Sequence, residues 1–141
     1  MIRVVLDTNI LTAAMRSPNG LSFQILELVR QGIVRPVVTT TLFVEYEAVL
    51  NRPEQMSAHG LSRDEVDRFL SSFAFLAEGV LIHFRWRPLL PDPNDDMVLE
   101  AAVNGRADAL VTYNIRDFAR EGIRFGLSVL TPADFFRALK P

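Results

Sequence analysis

Apolar positions along the chain follow two rhythms, one of alternating short runs and one of helical spacing. Residues 2–6 (IRVVL) form a β-branched run that stops on Asp7, which predicts a first, buried strand. Thr8 and Asn9 open a short helix or turn that gives out around Ser17-Pro18-Asn19-Gly20. Leu21, Ile25, Leu28 and Val29 then recur at helical spacing up to Gln31, with Gly32 as the stop. Residues 33–38 (IVRPVV) predict a second strand, and Pro36, which has no amide hydrogen, puts its position at an edge or a beginning. Thr39, Thr40 and Thr41 offer N-caps for a helix running to about Asn51 and bounded by Pro53. Its apolar face is Leu42, Tyr46, Val49 and Leu50.

The pattern lapses over residues 54–61, which read as a polar loop. Ser62 and Glu65 have capping-box spacing and start a helix with Val66, Phe69, Leu70, Phe73 and Leu76 on one side. Gly79 ends it, and VLIHF (80–84) predicts a third strand. After a proline-rich loop, Asp92 caps a helix with Pro93 at its first position, running to Asn104-Gly105. ALVT (109–112) predicts a fourth strand, 115–122 a helical turn, and LSVL (127–130) a fifth strand. Thr131-Pro132 opens a last helix carrying Phe135, Phe136 and Leu139. Strands separated by helical patterns predict an α/β fold, a three-layer sandwich around a central, mostly parallel sheet of four to five strands. There is no internal repeat, low-complexity tract or linker, so residues 1–141 are expected to form a single domain. Phe69, Phe73 and Phe75 are assigned to the core, with a partner surface as the alternative.

Composition narrows the class of protein. With 49% hydrophobic and 23% charged residues the chain is an ordinary globule, not a disordered segment. No apolar run reaches membrane-spanning length, and the N-terminus lacks a signal-peptide layout. The absence of cysteine excludes disulfides and thiolate metal sites and fits a cytoplasmic protein. A net charge of −2 supplies no general attraction for nucleic acid, so a phosphate-bearing partner would need local arginines or bound cations.

The acids carry the candidate chemistry. Asp7 closes an apolar strand, where open α/β sheets bind ligands, and DTN groups three small polar side chains there. Asp92, Asp95 and Asp96 crowd one helix start. Capping and the helix dipole account for one or two of them, and a third adds repulsion that calls for a cation or a raised pKa. Asp95 lies seven residues before Ala102 and is expected to share the buried face with Val98 and Leu99, whereas Asp96 points sideways toward Val103. That ranks Asp95 as the inward ligand and Asp96 as the alternate. Glu45 and Glu47 both flank the apolar face of their helix, and periodicity does not separate them. Asn114 and Asp117 follow the fourth strand, where turn chemistry also accounts for them. His59, in the polar loop, and His83, in the third strand, lack metal-ligand spacing. No dinucleotide, P-loop or serine-hydrolase motif occurs. If Asp7, Glu45 and Asp95 converge, they form an all-oxygen site for Mg²⁺ or Mn²⁺, able to activate water against a phosphodiester. Arg106, Arg116, Arg120 and Arg124 lie close in sequence to the pocket loops and are candidates for holding a nucleic-acid backbone.

VVLDTNIL, VEYEAVL, DPNDDMVLEAAVNGRADALVT and a polar turn ending in DF, taken together, resemble the PIN-domain nucleases, most closely the VapC-type toxin components of toxin–antitoxin pairs. The likeness runs from Ile2 to the TPADFF segment. It implies a metal-dependent endoribonuclease acting on RNA, often a homodimer, held inactive by a cognate antitoxin protein. It places the first acid on Asp7, the second on Glu45 and the third on Asp95. Where the family has V-T-x-D, this chain reads Val111-Thr112-Tyr113-Asn114, so the fourth carboxylate is an amide, and Asp117 is the nearest substitute. On this reading Asp7, Glu45 and Asp95 bind the ion and Asn114 or Asp117 completes the site. Asn9, Thr112, Asp92 and Arg116 orient water or substrate. The rival reading is a catalytically weak module that grips RNA or protein through the same pocket. A phospho-acceptor role for Asp7 is disfavoured, because no lysine follows a late strand at a suitable position.

Overall fold

The computed structural model describes residues 1–83, 90 and 92–139. Among these, five strands form one all-parallel sheet in the order β3-β2-β1-β4-β5. The strands are β1 (Ile2–Leu6), β2 (Val34–Val38), β3 (Glu78–Gly79), β4 (Ala109–Val111) and β5 (Ser128–Leu130). Between β1 and β2 lie α1 (Thr8–Arg16) and α2 (Leu21–Arg30). Between β2 and β3 lie α3 (Thr40–Leu50), α4 (Pro53–His59) and α5 (Arg63–Leu76). Next come α6 (Pro93–Asn104), α7 (Ile115–Phe125) after β4, and α8 (Pro132–Leu139) after β5.

The chain steps from β1 outward to β2 and β3, then returns past β1 to β4 and β5. With the right-handed crossovers that parallel strands require, the two directions of travel assign α1–α5 to one face and α6 and α7 to the other, which makes the three layers. The strand that turns the order around is β1. Val4, Val5 and Leu6 are wholly buried there, as strands covered on both faces must be, and Leu110 and Val111 beside them are the same.

Several segments depart from the sequence expectation. Residues 53–59 are helix, not loop, but α4 buries none of its residues and so leaves no apolar period to read. His59 ends α4 and is used structurally: Nδ1 accepts from the Leu61 N–H at 2.9 Å, which leaves Nε2 to donate to the Leu50 carbonyl at 3.0 Å. The third strand is Glu78–Gly79, not 80–84; of the expected segment, 80–83 is not strand and Phe84 lies outside the described residues. His83 is therefore not in a strand, and its backbone N–H donates to Asn104 Oδ1 at 2.8 Å. Gly79 sits within the strand, and Ala77 caps the helix.

Pro36 lies inside an interior strand. Val80 N–H donates to Val38 O, so the even-numbered backbone groups of β2 face β3. Because β3 pairs only with Val37 and Val38, Pro36 faces no partner there and its missing hydrogen costs no bond. Glu78 is fixed by Arg3 of β1, whose Nε and Nη2 bind both carboxylate oxygens. The same guanidinium reaches the carbonyls of Gly105 and Arg106 at 2.7 and 3.0 Å. A forked ion pair thus holds the short edge strand in place. Of the three phenylalanines assigned to the core, Phe73 is buried, Phe69 half-buried and Phe75 88% exposed.

Candidate active site

The switch in strand order falls between β1 and β4, and their carboxyl ends carry Asp7 and Thr112. Asp7 leaves the strand as the N-cap of α1, its Oδ1 accepting the Thr8 N–H at 2.7 Å. The Thr112 hydroxyl, fully buried, donates to Asp7 Oδ2 at 2.7 Å. Thr112 Oγ1 in turn accepts the Asn114 N–H at 2.9 Å and lies 3.5 Å from Asn9 Nδ2. Its hydrogen bonds go to Asp7 and to the turn that follows, so Thr112 fixes the orientation of the acid. Asn9 also meets the turn beyond it, its Oδ1 lying 3.4 Å from the Tyr113 N–H.

Asp7 is nearly buried, and burial pushes its pKa up. The bonds from Thr112 and Thr8 oppose that rise, and the charges of Asp117 and Asp92 add to it. Asp95 is pushed up to about 7, first by burial and then by Asp7, Asp92, Asp117 and Asp96. Asp7, Asp92, Asp95 and Asp117 therefore share one electrostatic environment, drawn from β1, the start of α6 and the start of α7.

On α6 the burial order is the reverse of the sequence expectation. Asp96 is 2% exposed and its Oδ1 accepts the Leu90 N–H at 3.0 Å, whereas Asp95 is only half-buried. Asp96 thus ties the incoming loop to the helix. Asp95 is nonetheless the one whose pKa responds to the Asp7 charge. Asp92 caps α6 by accepting the Asn94 N–H at 2.9 Å.

Glu45 lies on α3, half-buried, in a cleft of about 210 Å³ that it shares with Asp7, Thr8, Asn9, Thr12, Arg52 and Asn94. Glu47, left level with it by periodicity, is exposed and does not line the cleft. The helix is indexed by Tyr46, fully buried, whose hydroxyl donates to the Leu6 carbonyl next to Asp7. Burial, then the Asp7 charge, holds that phenol well above its ordinary range. Sequence reading gave Tyr46 to the core and missed this polar bond; a tyrosine on an otherwise apolar face was the available signal. It also missed Arg52, because α4 was not recognised.

Asn114 precedes α7 without capping it through its side chain and is exposed; Asp117 sits in the first turn of α7. Arg116 is exposed in that same turn, and Arg120 is exposed one turn further on. The other two arginines are elsewhere. Arg106 adopts a φ of 49° in the turn before β4, at the opposite end of the sheet. Arg124 closes α7, 3.7 Å from Glu121 and over the Phe125 ring.

No three acids among the described residues already form a ligand cage around one point. The donor chemistry nonetheless suits a hard divalent ion. It is all oxygen, and it includes Asp95, whose pKa burial first and neighbouring acids second push up to about 7, and a cation would offset the second of these.

The model of the PIN domain matches residues 3–116, and the chain belongs to the PIN domain family. Its fold is similar to that of a chain in the crystal structure of VapBC2 from Rickettsia felis bound to a DNA fragment from their promoter. The TM-score is 0.61 at 18% identity, over 93% of this chain and 98% of that one. No curated protein is detectably similar in sequence. Among the described residues no helix is long and apolar enough to cross a membrane.

Proposed function

We propose that the protein is a metal-dependent endoribonuclease, the cytoplasmic toxin of a toxin–antitoxin pair. The observation that carries this reading is the cleft at the carboxyl end of β1 that Asp7, held by Thr112, shares with Glu45, and the upward pKa shifts of Asp7 and Asp95 support it. PIN domains are generally nucleases, and acids gathered at this point of a parallel sheet suit hydrolysis of a phosphodiester. Asp7, Asp95 and Glu45 would hold Mg²⁺ or Mn²⁺, with Asp117 or Asn114 completing the set. Bound there, the cation supplies Lewis acidity and an acidified water. Thr112 would hold Asp7 in its ligating orientation, Asn9 lines the cleft where water and substrate would enter, and the exposed Arg116 and Asp92 would orient substrate. A cognate antitoxin belongs to the same reading, supported by the likeness to a chain of a VapBC complex, and a homodimer is part of the proposal.

The deciding experiment is cleavage of a single-stranded RNA panel with Mn²⁺ or Mg²⁺ and with EDTA. Asp7→Asn should abolish metal-dependent cleavage while the circular dichroism spectrum stays unchanged. Undiminished cleavage by that variant refutes the assignment. Asn114, a neutral ligand where the family carries an acid, favours one rival: a catalytically weak module that binds RNA or protein. RNA binding without cleavage at any metal concentration would establish it.

A further inference from the structure

We propose that Arg52 is the residue that grips a phosphate of the RNA strand next to the one being cleaved, an inference that rests on the ribonuclease reading. Arg52 lines the cleft that contains Asp7 and Glu45, and it is exposed. Two carboxylates share that cleft, yet among the described residues the Arg52 side chain has no ion-pair or hydrogen-bond partner. Arg3, Arg30, Arg137 and Arg16 are engaged with Glu78, Glu27, Asp134 and the Thr12 carbonyl; Arg63, Arg68, Arg116 and Arg120 are as free of such partners as Arg52 among the described residues, but none of them lines this cleft.

The stem that presents this free guanidinium is rigid. Arg52 joins α3 to α4, its N–H donating to the Val49 carbonyl at 3.1 Å. Its own carbonyl accepts the Gln55 and Met56 N–H groups at 3.0 and 2.9 Å, and Pro53 fixes the next residue. Little main-chain freedom is lost when the side chain takes a ligand, which favours binding. Guanidinium matches phosphate in geometry and charge, and the acids of the cleft require that the backbone of an incoming strand be held by something other than themselves. The cleft thus offers two kinds of phosphate contact: the acids through a cation at the scissile group, and Arg52 directly at a neighbour.

The test compares wild type, Arg52→Ala and Arg52→Lys in RNA cleavage, and repeats the substitutions in an Asp7→Asn background for binding of a labelled single-stranded RNA. Arg52→Ala should raise KM about tenfold with kcat changed little, the loss of one charged hydrogen-bonded contact. Arg52→Lys should recover part of that loss by keeping a point charge. The slope of log binding constant against log salt should fall by about 0.7, the share of one phosphate on a single strand. Arg68→Ala, an exposed arginine on α5, should leave the slope unchanged. If wild type cleaves RNA and Arg52→Ala matches it in KM and salt slope, Arg52 does not hold phosphate and the ribonuclease reading stands. If wild type neither binds nor cleaves RNA, both fall.

Discussion

The Thr112 hydroxyl donates to Asp7 Oδ2 across the gap between the carboxyl ends of β4 and β1, a 2.7 Å bond between residues 105 positions apart. It joins the two halves of the sheet at the point where strand order reverses. It also lowers the pKa of a carboxyl that burial raises. Removing it should act on both stability and pH response. Thr112→Val keeps the shape and deletes the donor, so a buried carboxylate loses a partner. Stability should fall by about 1–3 kcal/mol in urea unfolding. The acid limb of any metal-dependent cleavage should move to higher pH, because Asp7 ionises less readily. An unmoved limb would show that Asp7 does not set it.

Asp95 gives a second prediction, with a sign fixed by linkage. Its carboxyl titrates near 7 in the folded protein against a reference of 3.8, so between those values the folded state holds more protons than the unfolded one. Its contribution to stability is complete below about pH 4 and lost as pH rises to about 7. Asp95→Asn, uncharged throughout, should match wild type in melting temperature at pH 4 and exceed it at pH 8 when no divalent cation is added. Mn²⁺ at pH 8 should raise the wild-type melting temperature and leave the variant nearly unmoved. A variant that melts with wild type at pH 8 would mean that neither burial nor the neighbouring acids penalise the Asp95 charge.

Much of this arrangement is legible in the residues, and what is not has identifiable causes. The strand ending on Asp7, the capping box at Ser62 and Glu65, and the Asp92-Pro93 start of α6 are set by local chemistry, and the structure has all three. Failures occur where tertiary contact decides. Glu78 and Gly79 have no strand propensity and pair with β2 because Arg3 anchors Glu78 from β1. No sequence period marks α4, since it buries nothing. Asp96 outranks Asp95 in burial because a loop N–H needs its oxygen, a partner that helical spacing cannot show.

Gly105 tests how closely α6 packs on the sheet. A Cβ at this position would lie 2.5 Å from Val37 Cγ1 and 2.8 Å from the Ala101 carbonyl, so the close of the helix is pressed onto β2. Its φ of −83° is ordinary, and space alone forbids a side chain. Gly105→Ala should cost about 1–3 kcal/mol by overpacking. Thermal unfolding would register that loss, and an unchanged midpoint would mean that the helix end can shift outward freely.

The amide at Asn114 is the last point, and it separates two accounts of the fourth ligand. Asp117, exposed in the first turn of α7, is one of the like charges that raise the pKa of both Asp7 and Asp95. If Asp117 takes the place of the missing acid, Asp117→Asn should weaken Mn²⁺ binding by about tenfold or more, while Asn114→Ala changes it little. Asn114→Asp would then add a fifth acid to the group. It should tighten Mn²⁺ binding and at the same time lower metal-free stability above neutral pH, because the new charge joins those that already hold Asp95 protonated. Titration calorimetry on the three variants distinguishes the accounts. Should Asn114→Ala weaken the metal as much as Asp117→Asn, the amide itself is a ligand, and the chain completes its site with a neutral oxygen.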